Sequence, residues 1–469
     1  MTVTSAKIII FILFTVVFLL CLAIGGRSTR NDILSPFLFV NTYFYLARIP
    51  RLLMADYNLY QGGQITTRML WSYFGVTLVF FVLMNLAFVF LSRGARNKKT
   101  KAITNSLDSD SLYGVGLFFY LVGASARIYE IIRAGGIVYV LQNLWNRVSL
   151  LSGLGYIEYL TVFITIGLCC IEASCINRPK QRKHKFVFIL LLVLGIALNL
   201  AFGARSGFMK MLFALLFVYY YLSPDKHPLR RFFKVRYLIA GVAILAILVV
   251  LPTFRKADFD YSQVGFDTFV SGLFDGGGTI VNEVSLYDED VFVIDYFSSH
   301  DFWYGENYIN LLTAWLPRSL FPNKGIIDDG MYLRALMKGL GGIYPTMSLS
   351  DLHELGVSSS IPFTTSGIFY ANFGILGTIV GGWVTGTILY RSYLEISRTK
   401  SVLDILFYQF LCTRLCLSVK GIVELIMMYL LCKIAQLFLR MGRANGMAKT
   451  SSPVRFVSHS ERLRNRSIF

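Results

Sequence analysis

Charge is scarce in this chain. Of its 469 residues only 15% are Asp, Glu, Lys or Arg, whereas 55% are hydrophobic. A single soluble domain of that composition would leave a great deal of apolar surface in water, and disorder is excluded by the same balance. Cysteine is also sparse. The seven (Cys21, Cys169, Cys170, Cys175, Cys412, Cys416 and Cys432) lie in or beside apolar runs, so neither a disulfide scaffold nor a zinc spacing is implied. Cys169, Cys170 and Cys175 read as small buried apolar residues. Soluble-enzyme signatures are missing too. There is no GxxxxGK[ST], no HExxH and no GxSxG, which removes support for nucleotide hydrolysis, zinc proteolysis and serine-hydrolase chemistry. No fixed-period repeat and no matched pair of interrupted helices occurs, which weakens an inverted-repeat transporter.

What the chain does have is long apolar runs. Crossing about 30 Å of hydrocarbon takes roughly 20 mostly apolar helical residues. Ten runs meet that need: 8 to 24, 69 to 91, 112 to 126, 154 to 176, 186 to 203, 207 to 222, 237 to 251, 367 to 390, 402 to 418 and 421 to 439. A weaker eleventh, 33 to 49, is interrupted by Asn41 and Arg48 and has Pro36 near its start. The expected fold class is therefore an all-α polytopic membrane protein with about eleven transmembrane helices (10 to 12) and one large, partly helical external loop. Its expected divisions are an N-terminal transmembrane bundle (1–251), the external loop (252–366), C-terminal transmembrane helices (367–439) and a basic cytoplasmic tail (440–469).

The net charge of +18 would suggest nucleic acid in a soluble protein. In a membrane protein the position of the charges decides instead. Segments 92–111, 177–185 and 223–236 each hold five Lys or Arg, 391–401 holds three, and the tail from Arg440 holds seven. Even numbers of spans separate them, so all are assigned to the cytoplasm. The stretch 252–366, with six Lys/Arg against fifteen Asp/Glu, then lies outside, as do 127–153 and the tight turn at Arg205. Counting 33–49 as a span puts Met1 outside and Arg27 and Arg30 inside. Lys7 alone precedes the first apolar run, and Gly25-Gly26-Arg27 is a poor small-x-small cleavage site, so no cleavable signal peptide is expected.

The external stretch is too long for a turn and too rich in Tyr, Trp, Phe and Gly for a linker. Helical apolar spacing marks 307–314 (NYINLLTA) and 330–338 (GMYLRALMK), and the chain breaks at 276–278 and 339–342. Segment 127–150 reads as an amphipathic helix at the interface. Gly374, Gly377, Gly381, Gly382 and Gly386 recur at helical spacings and read as close packing between membrane helices.

External arginines run against the positive-inside bias, so each needs a reason. Arg205 sits in the turn Gly203-Ala204-Arg205-Ser206-Gly207, Arg255 follows a span by four residues, Arg318 follows Pro317, and Arg127 and Arg133 belong to another external piece. A guanidinium fork suits phosphate at the depth of a lipid-linked diphosphate; snorkelling or ion pairing with the loop's carboxylates is the commoner explanation of any one arginine, and the cluster is more persuasive than its members. His353 and Glu354 precede a span and offer a general base at the outer surface. Asp288-Glu289-Asp290 and Asp328-Asp329 have the oxygen ligands a hard cation wants, yet solvated acidic loops are commoner, and no metal is assigned.

Short basic loops, one large late external loop and three local patterns together resemble the bacterial oligosaccharide repeat-unit (O-antigen) polymerases of the Wzy type. The patterns are Gly203-Ala204-Arg205-Ser206-Gly207 between two spans; Tyr304-Gly305 followed by Leu316-Pro317-Arg318, Phe321-Pro322 and Lys324; and Tyr370-Ala371-Asn372-Phe373-Gly374 with Gly377. Gly325 follows Lys324 where the family would have proline, and Phe321 stands where tryptophan is common. The resemblance implies a metal-independent, cofactor-free glycosyltransferase on the outer face of the bacterial cytoplasmic membrane. Its implied substrate is an undecaprenyl-diphosphate-linked oligosaccharide, with a flippase and a chain-length regulator as partners and no nucleic acid. In that reading Arg205, Arg255, Arg318, Lys324 and Arg127 hold the diphosphate, His353 or Glu354 is the base, and Trp303, Tyr304, Tyr308 and Trp315 offer faces to sugars. An O-antigen ligase, a transporter for lipid-linked glycans and a membrane scaffold remain the competing classes, ranked in that order. For a transporter, Glu158, Glu172, Asp404, Arg414 and Glu424 are the ionisable residues within or near apolar runs.

Overall fold

The computed structural model describes residues 2–24, 32–53, 64–96, 109–144, 150–151, 153–178, 181–203, 205–224, 241, 246, 287–318 and 320–446, without the side chains of 50, 94–96 and 440–446. The regular elements of the described residues are helical. Seven helices are long and apolar enough to cross a membrane: Val3–Ile24, Thr67–Arg93, Ser109–Arg133, Gly155–Asn177, Arg182–Leu200, Thr365–Thr399 and Val419–Leu439. Large apolar side chains stand exposed along several of them, such as Ile12, Leu19 and Leu20 on the first and Phe186, Ile189 and Val193 on the fifth. A surface of that kind is stable against hydrocarbon and costly in water. The chain has the build of a polytopic membrane protein.

The structure corrects the span list in four places. Arg205–Leu222 is helical but is not among the seven. The run 402–418 is helical only over Val402–Arg414, too short to cross alone. The helix of the 112–126 run continues to Arg133, so Arg127 and Arg133 belong to a span's last turns and not to a separate interfacial helix. The run 33–49 is broken into a π-helical turn, Pro36–Val40, and two short helices, Asn41–Leu46 and Ile49–Leu53. The span expected at 237–251 lies outside the described residues apart from 241 and 246, as do 252–286.

Contacts group the chain into two units that cut across sequence order. Unit 1 comprises Met1–Thr100, Val281–Leu394 and Arg414–Ile426; unit 2 comprises Lys101–Ile280, Glu395–Thr413 and Met427–Phe469.

In unit 1 the broken segment runs antiparallel along the Thr67–Arg96 helix. Phe37 packs on Phe88 with centroids 5.3 Å apart, Asn41 and Asn85 exchange side-chain hydrogen bonds at 2.6 and 3.1 Å, and Phe44 packs on Phe81 at 5.1 Å. Its two ends are fixed by polar partners. Asp32 accepts from Tyr393 Oη at 2.9 Å, and Arg48 reaches Asp290 at 3.0 Å. The segment therefore lies along that helix, contiguous from Pro36 through Leu46 and turning at Ala47-Arg48 before Ile49–Leu53. Lys7 lies within electrostatic reach of Asp288, which places the start of Val3–Ile24 at the same end of unit 1 as the start of the Tyr287–Ser299 helix.

Also in unit 1, the Thr365–Thr399 stretch departs from helical geometry at Phe373 (φ −138°, ψ 16°) and Gly374 (φ 61°, ψ −142°). A Cβ added to Gly377 would lie 2.2 Å from the Phe369 carbonyl oxygen, and one on Gly381 2.3 Å from the Phe369 ring. Eight residues of straight helix span about 12 Å, so the chain folds back sharply at Phe373-Gly374. Only glycine suits position 374, because φ is positive and a Cβ would meet Phe302 at 2.8 Å. Beyond the bend, Gly382 and Gly386 let the helix close onto Phe80 and Met84, whose carbonyl oxygens would lie 2.7 and 2.3 Å from added Cβ atoms. Gly382 and Gly386 thus pack between helices as the spacing predicts, whereas Gly374 makes the bend and Gly377 and Gly381 meet Phe369 across it.

In unit 2 the Ser109–Arg133 and Val162–Asn177 helices pair antiparallel. Gly116, Gly123 and Gly167 permit the contact: Cβ atoms there would lie 2.9 Å from Gly167 O, 2.4 Å from Ile164 N and 2.5 Å from Tyr120 N. Ser109 and Ser174 close one end, their hydroxyls 2.9 Å apart.

Candidate functional site

The described part of the stretch expected outside, 287–318 and 320–363, folds around an apolar core in which Phe297, Trp303, Tyr332, Leu333, Leu352 and Phe363 are buried. The sequence dictates much of it locally. Ser348 begins the Leu349–Glu354 helix with a reciprocal cap, its Oγ accepting from Asp351 N at 3.3 Å while Asp351 accepts from Ser348 N at 3.0 Å. Gly356, at φ 73°, ends it. His353 and Glu354 are both exposed on the last turn of that helix. The expected helix at 330–338 is found as Asp329–Met337. The one at 307–314 is split into a 3₁₀ turn, Glu306–Ile309, and a single helical turn, Asn310–Thr313.

Arg318 and Lys324 flank the loop that follows. The Lys324 ammonium donates to the carbonyls of Thr313 at 2.9 Å, Ala314 at 3.4 Å and Leu316, satisfying the end of the Asn310–Thr313 turn. The Lys324 carbonyl in turn accepts from Arg318 Nη1 at 3.4 Å. Arg318 is half-buried, and burial holds its guanidinium below the ordinary arginine value. Lys324 also lies below its usual range, first through burial and then through the charge of Arg318. Among the described residues no carboxylate pairs with either. Two neighbouring cations without a counter-charge among the described residues form an anion-attracting position on this loop.

The aromatic residues divide. Tyr304 and Trp315 are exposed and free to stack on a ligand. Trp303 is buried against Phe297, Phe363 and Tyr332, and Tyr308 donates from its hydroxyl to Leu417 O at 2.9 Å. Trp303 belongs to the core, which corrects its expected role as a sugar platform, and Tyr308 is half-buried with its hydroxyl already engaged.

Arg127 and the Arg205 turn come together in unit 2. Arg127 donates to Glu130 at 2.6 Å and Thr161 at 3.2 Å, and its guanidinium carbon lies 5.5 Å from the ring centroid of Phe202. Its charge is already matched by Glu130, which is wholly buried. Arg205 is the first residue of the Arg205–Leu222 helix, after a turn in which Gly203 takes φ 63°. Arg255 lies outside the described residues.

The acidic clusters have protein partners. Asp290 is held by Arg48 at 3.0 Å, by Thr364 and by Ser366 at 3.5 Å; Asp288 is held by Arg51 at 3.0 Å. Burial still pushes Asp288 and Asp290 above the carboxylate range, with the arginines pulling the other way. Burial raises Glu289 to about 7, helped by its two acidic neighbours. Asp328 pairs with Lys420 at 2.7 Å, and Asp329 accepts from Val419 N at 2.6 Å while burial lifts it to about 7. Sequence reading treated Arg48 only as an interruption of a weak span. An arginine in an apolar run demands a buried partner, and that signal pointed to the 288–290 cluster. Arg414 and Glu424, picked out as pathway candidates, pair with each other.

No family model, curated protein or solved structure matches this chain.

Proposed function

We propose that this protein is a polysaccharide polymerase: a membrane-embedded glycosyltransferase that joins undecaprenyl-diphosphate-linked oligosaccharide repeat units on the outer face of a bacterial cytoplasmic membrane. The observation that carries the reading is the pair of cations at Arg318 and Lys324. They stand on the external loop without a carboxylate partner among the described residues, beside exposed Trp315 and Phe321. Arg318 keeps guanidinium donors free for a diphosphate, and Lys324, tied to three carbonyls, fixes the loop and adds positive potential.

The reaction needs little else. A hydroxyl of the incoming unit attacks the anomeric carbon of the growing glycan, a new C–O bond forms, and the bond to the diphosphate breaks. The leaving diphosphate gathers negative charge beside Arg318, where it is stabilised. His353 or Glu354, exposed on one helix turn, takes the hydroxyl proton. Tyr304 and Trp315 supply flat apolar faces for sugar rings.

The test is the surface glycan of a strain lacking the gene, resolved on a gel, with rescue by the wild type and by Arg318→Ala at equal protein level. A lost ladder with single repeat units still attached, restored by the wild type and not by Arg318→Ala, is the expected result. An unchanged ladder overturns the reading. Loss of single units as well shifts it to a ligase or flippase.

A further inference from the structure

The segment between Gly305 and Lys324 is built the wrong way out for water. Its two central asparagines point inward, while Glu306 and Asn323 near its ends stay exposed: Asn307 is 0% exposed and donates to Asp329 at 3.3 Å, and Asn310 is 3% exposed and donates to the carbonyls of Ile326 and Pro345 at 3.0 and 2.9 Å. Its large apolar side chains point outward, with Leu312 79% and Leu320 70% exposed, joined by Ile309, Trp315 and Phe321. The sequence reading took 307–314 as a helix with an apolar face to bury. The structure buries the opposite face.

What covers these side chains follows from where the segment is anchored. Trp303 N donates to Ala371 O at 2.9 Å, and Tyr304 N to Asn372 O at 3.0 Å. Gly305 N donates to Asn372 Oδ1 at 2.9 Å. These amides satisfy carbonyls freed where the Thr365–Thr399 stretch folds back. A Cβ on Gly305 would touch Phe373 at 3.2 Å. Just past the fold, Ile375, Leu376, Ile379, Val380 and Trp383 are exposed along a membrane-spanning limb. Lipid that wets this strip up to Leu376 is at the level from which Tyr304-Gly305 departs, so the loop's exposed apolar side chains begin just past the end of the span's strip, beyond the exposed carboxylate of Glu306. Trp315 and Tyr304 are the side chains expected where hydrocarbon meets headgroups, and Arg318 is positioned to reach phosphate.

We infer that residues 305–321 are seated in one leaflet of the bilayer, with Leu312 and Leu320 among the acyl chains and Arg318 at the depth of the headgroup phosphates. The occupant of this face is membrane lipid. The inference does not depend on the enzymatic reading, since it rests on exposure and anchoring alone.

Depth-dependent quenching by brominated phosphatidylcholine tests it, using the full chain reconstituted in vesicles of that lipid. Wild-type emission minus that of Trp315→Phe isolates Trp315. In the Trp315→Phe background, Leu312→Trp carries the fluorophore to the most exposed position, and Tyr344→Trp carries it to an exposed position outside the segment. The expected result is strong quenching of Trp315 and of the Leu312→Trp variant, with bromines near the headgroup end quenching Trp315 best, and little quenching of the Tyr344→Trp variant. If Trp315 and the Leu312→Trp variant are quenched no more than the Tyr344→Trp variant, the segment lies in water and the inference fails. Blue-shifted emission without quenching puts protein over this face and also overturns it.

Discussion

Arg127 and Arg318 read alike in the sequence, as arginines near an outer membrane surface, yet their surroundings are opposite. Arg127 is met by Glu130 at 2.6 Å and by Thr161, whereas the hydrogen bond of Arg318 goes to a carbonyl at 3.4 Å and its charged neighbour is Lys324. Arg48 and Arg51 follow the Arg127 pattern, each facing a carboxylate at 3.0 Å. Position along the chain tells where a charge sits relative to the membrane. Only the partner tells whether that charge is already neutralised.

Breaking a matched pair has the largest expected effect. Asp290→Ala leaves the Arg48 guanidinium buried and unpaired, which costs about 3–5 kcal/mol, and the measurement is thermal stability of the purified protein in detergent. Replacing both partners, with Arg48→Met and Asp290→Leu, recovers most of that loss. If the single and double variants are equally unstable, the pair was not what held the carboxylate.

A smaller effect comes from pH. Glu289 is raised from 4.5 to about 7, so between those values the unfolded chain gives up its proton while the folded one keeps it. Stability is then greatest below about 4.5 and falls as pH rises to about 7, on the part of this group. Glu289→Gln flattens that slope in melting temperature measured across the window. An unchanged slope assigns it to another group, of which Asp329, also raised to about 7, is the next to replace.

Arg318→Ala removes a cation with no carboxylate partner, so stability changes by less than about 1 kcal/mol. A loss near that of Asp290→Ala places Arg318 with the structural cations instead. The smallest effect belongs to Arg398, whose exposed contact with Glu395 is 3.8 Å long. Arg398→Ala shifts stability by less than about 0.5 kcal/mol in the same melting experiment.

Hydropathy made the long helices legible because crossing a membrane demands both length and apolarity, and of the glycines from 374 to 386 only Gly382 and Gly386 form the expected face between helices. The bend at Phe373-Gly374 was not legible. It depends on Trp303, Tyr304 and Gly305 reaching carbonyls some seventy positions away in sequence, which no local spacing encodes. The course of 33–49 was half legible, since Arg48 and Asn41 weaken the apolar count yet form the very contacts, with Asp290 and Asn85, that hold the segment in place. Of the candidate site residues, Arg318 and Lys324 stand out by position. The sequence could not tell that Lys324 donates to the carbonyls of Thr313, Ala314 and Leu316, or that Trp303 serves the core. It also could not show Asn307 and Asn310 turned inward, because the apolar spacing of NYINLLTA fits either face.

The most direct test of the central claim is polymer formation by purified protein in vesicles loaded with lipid-linked repeat units, comparing the wild type, Arg318→Ala and the paired replacement Arg127→Met with Glu130→Met. The account predicts longer glycans and released undecaprenyl diphosphate from the wild type, near-normal product from the paired replacement, and loss of both products in Arg318→Ala at unchanged melting temperature. Full activity of Arg318→Ala, or no polymer from folded wild-type protein, would contradict it.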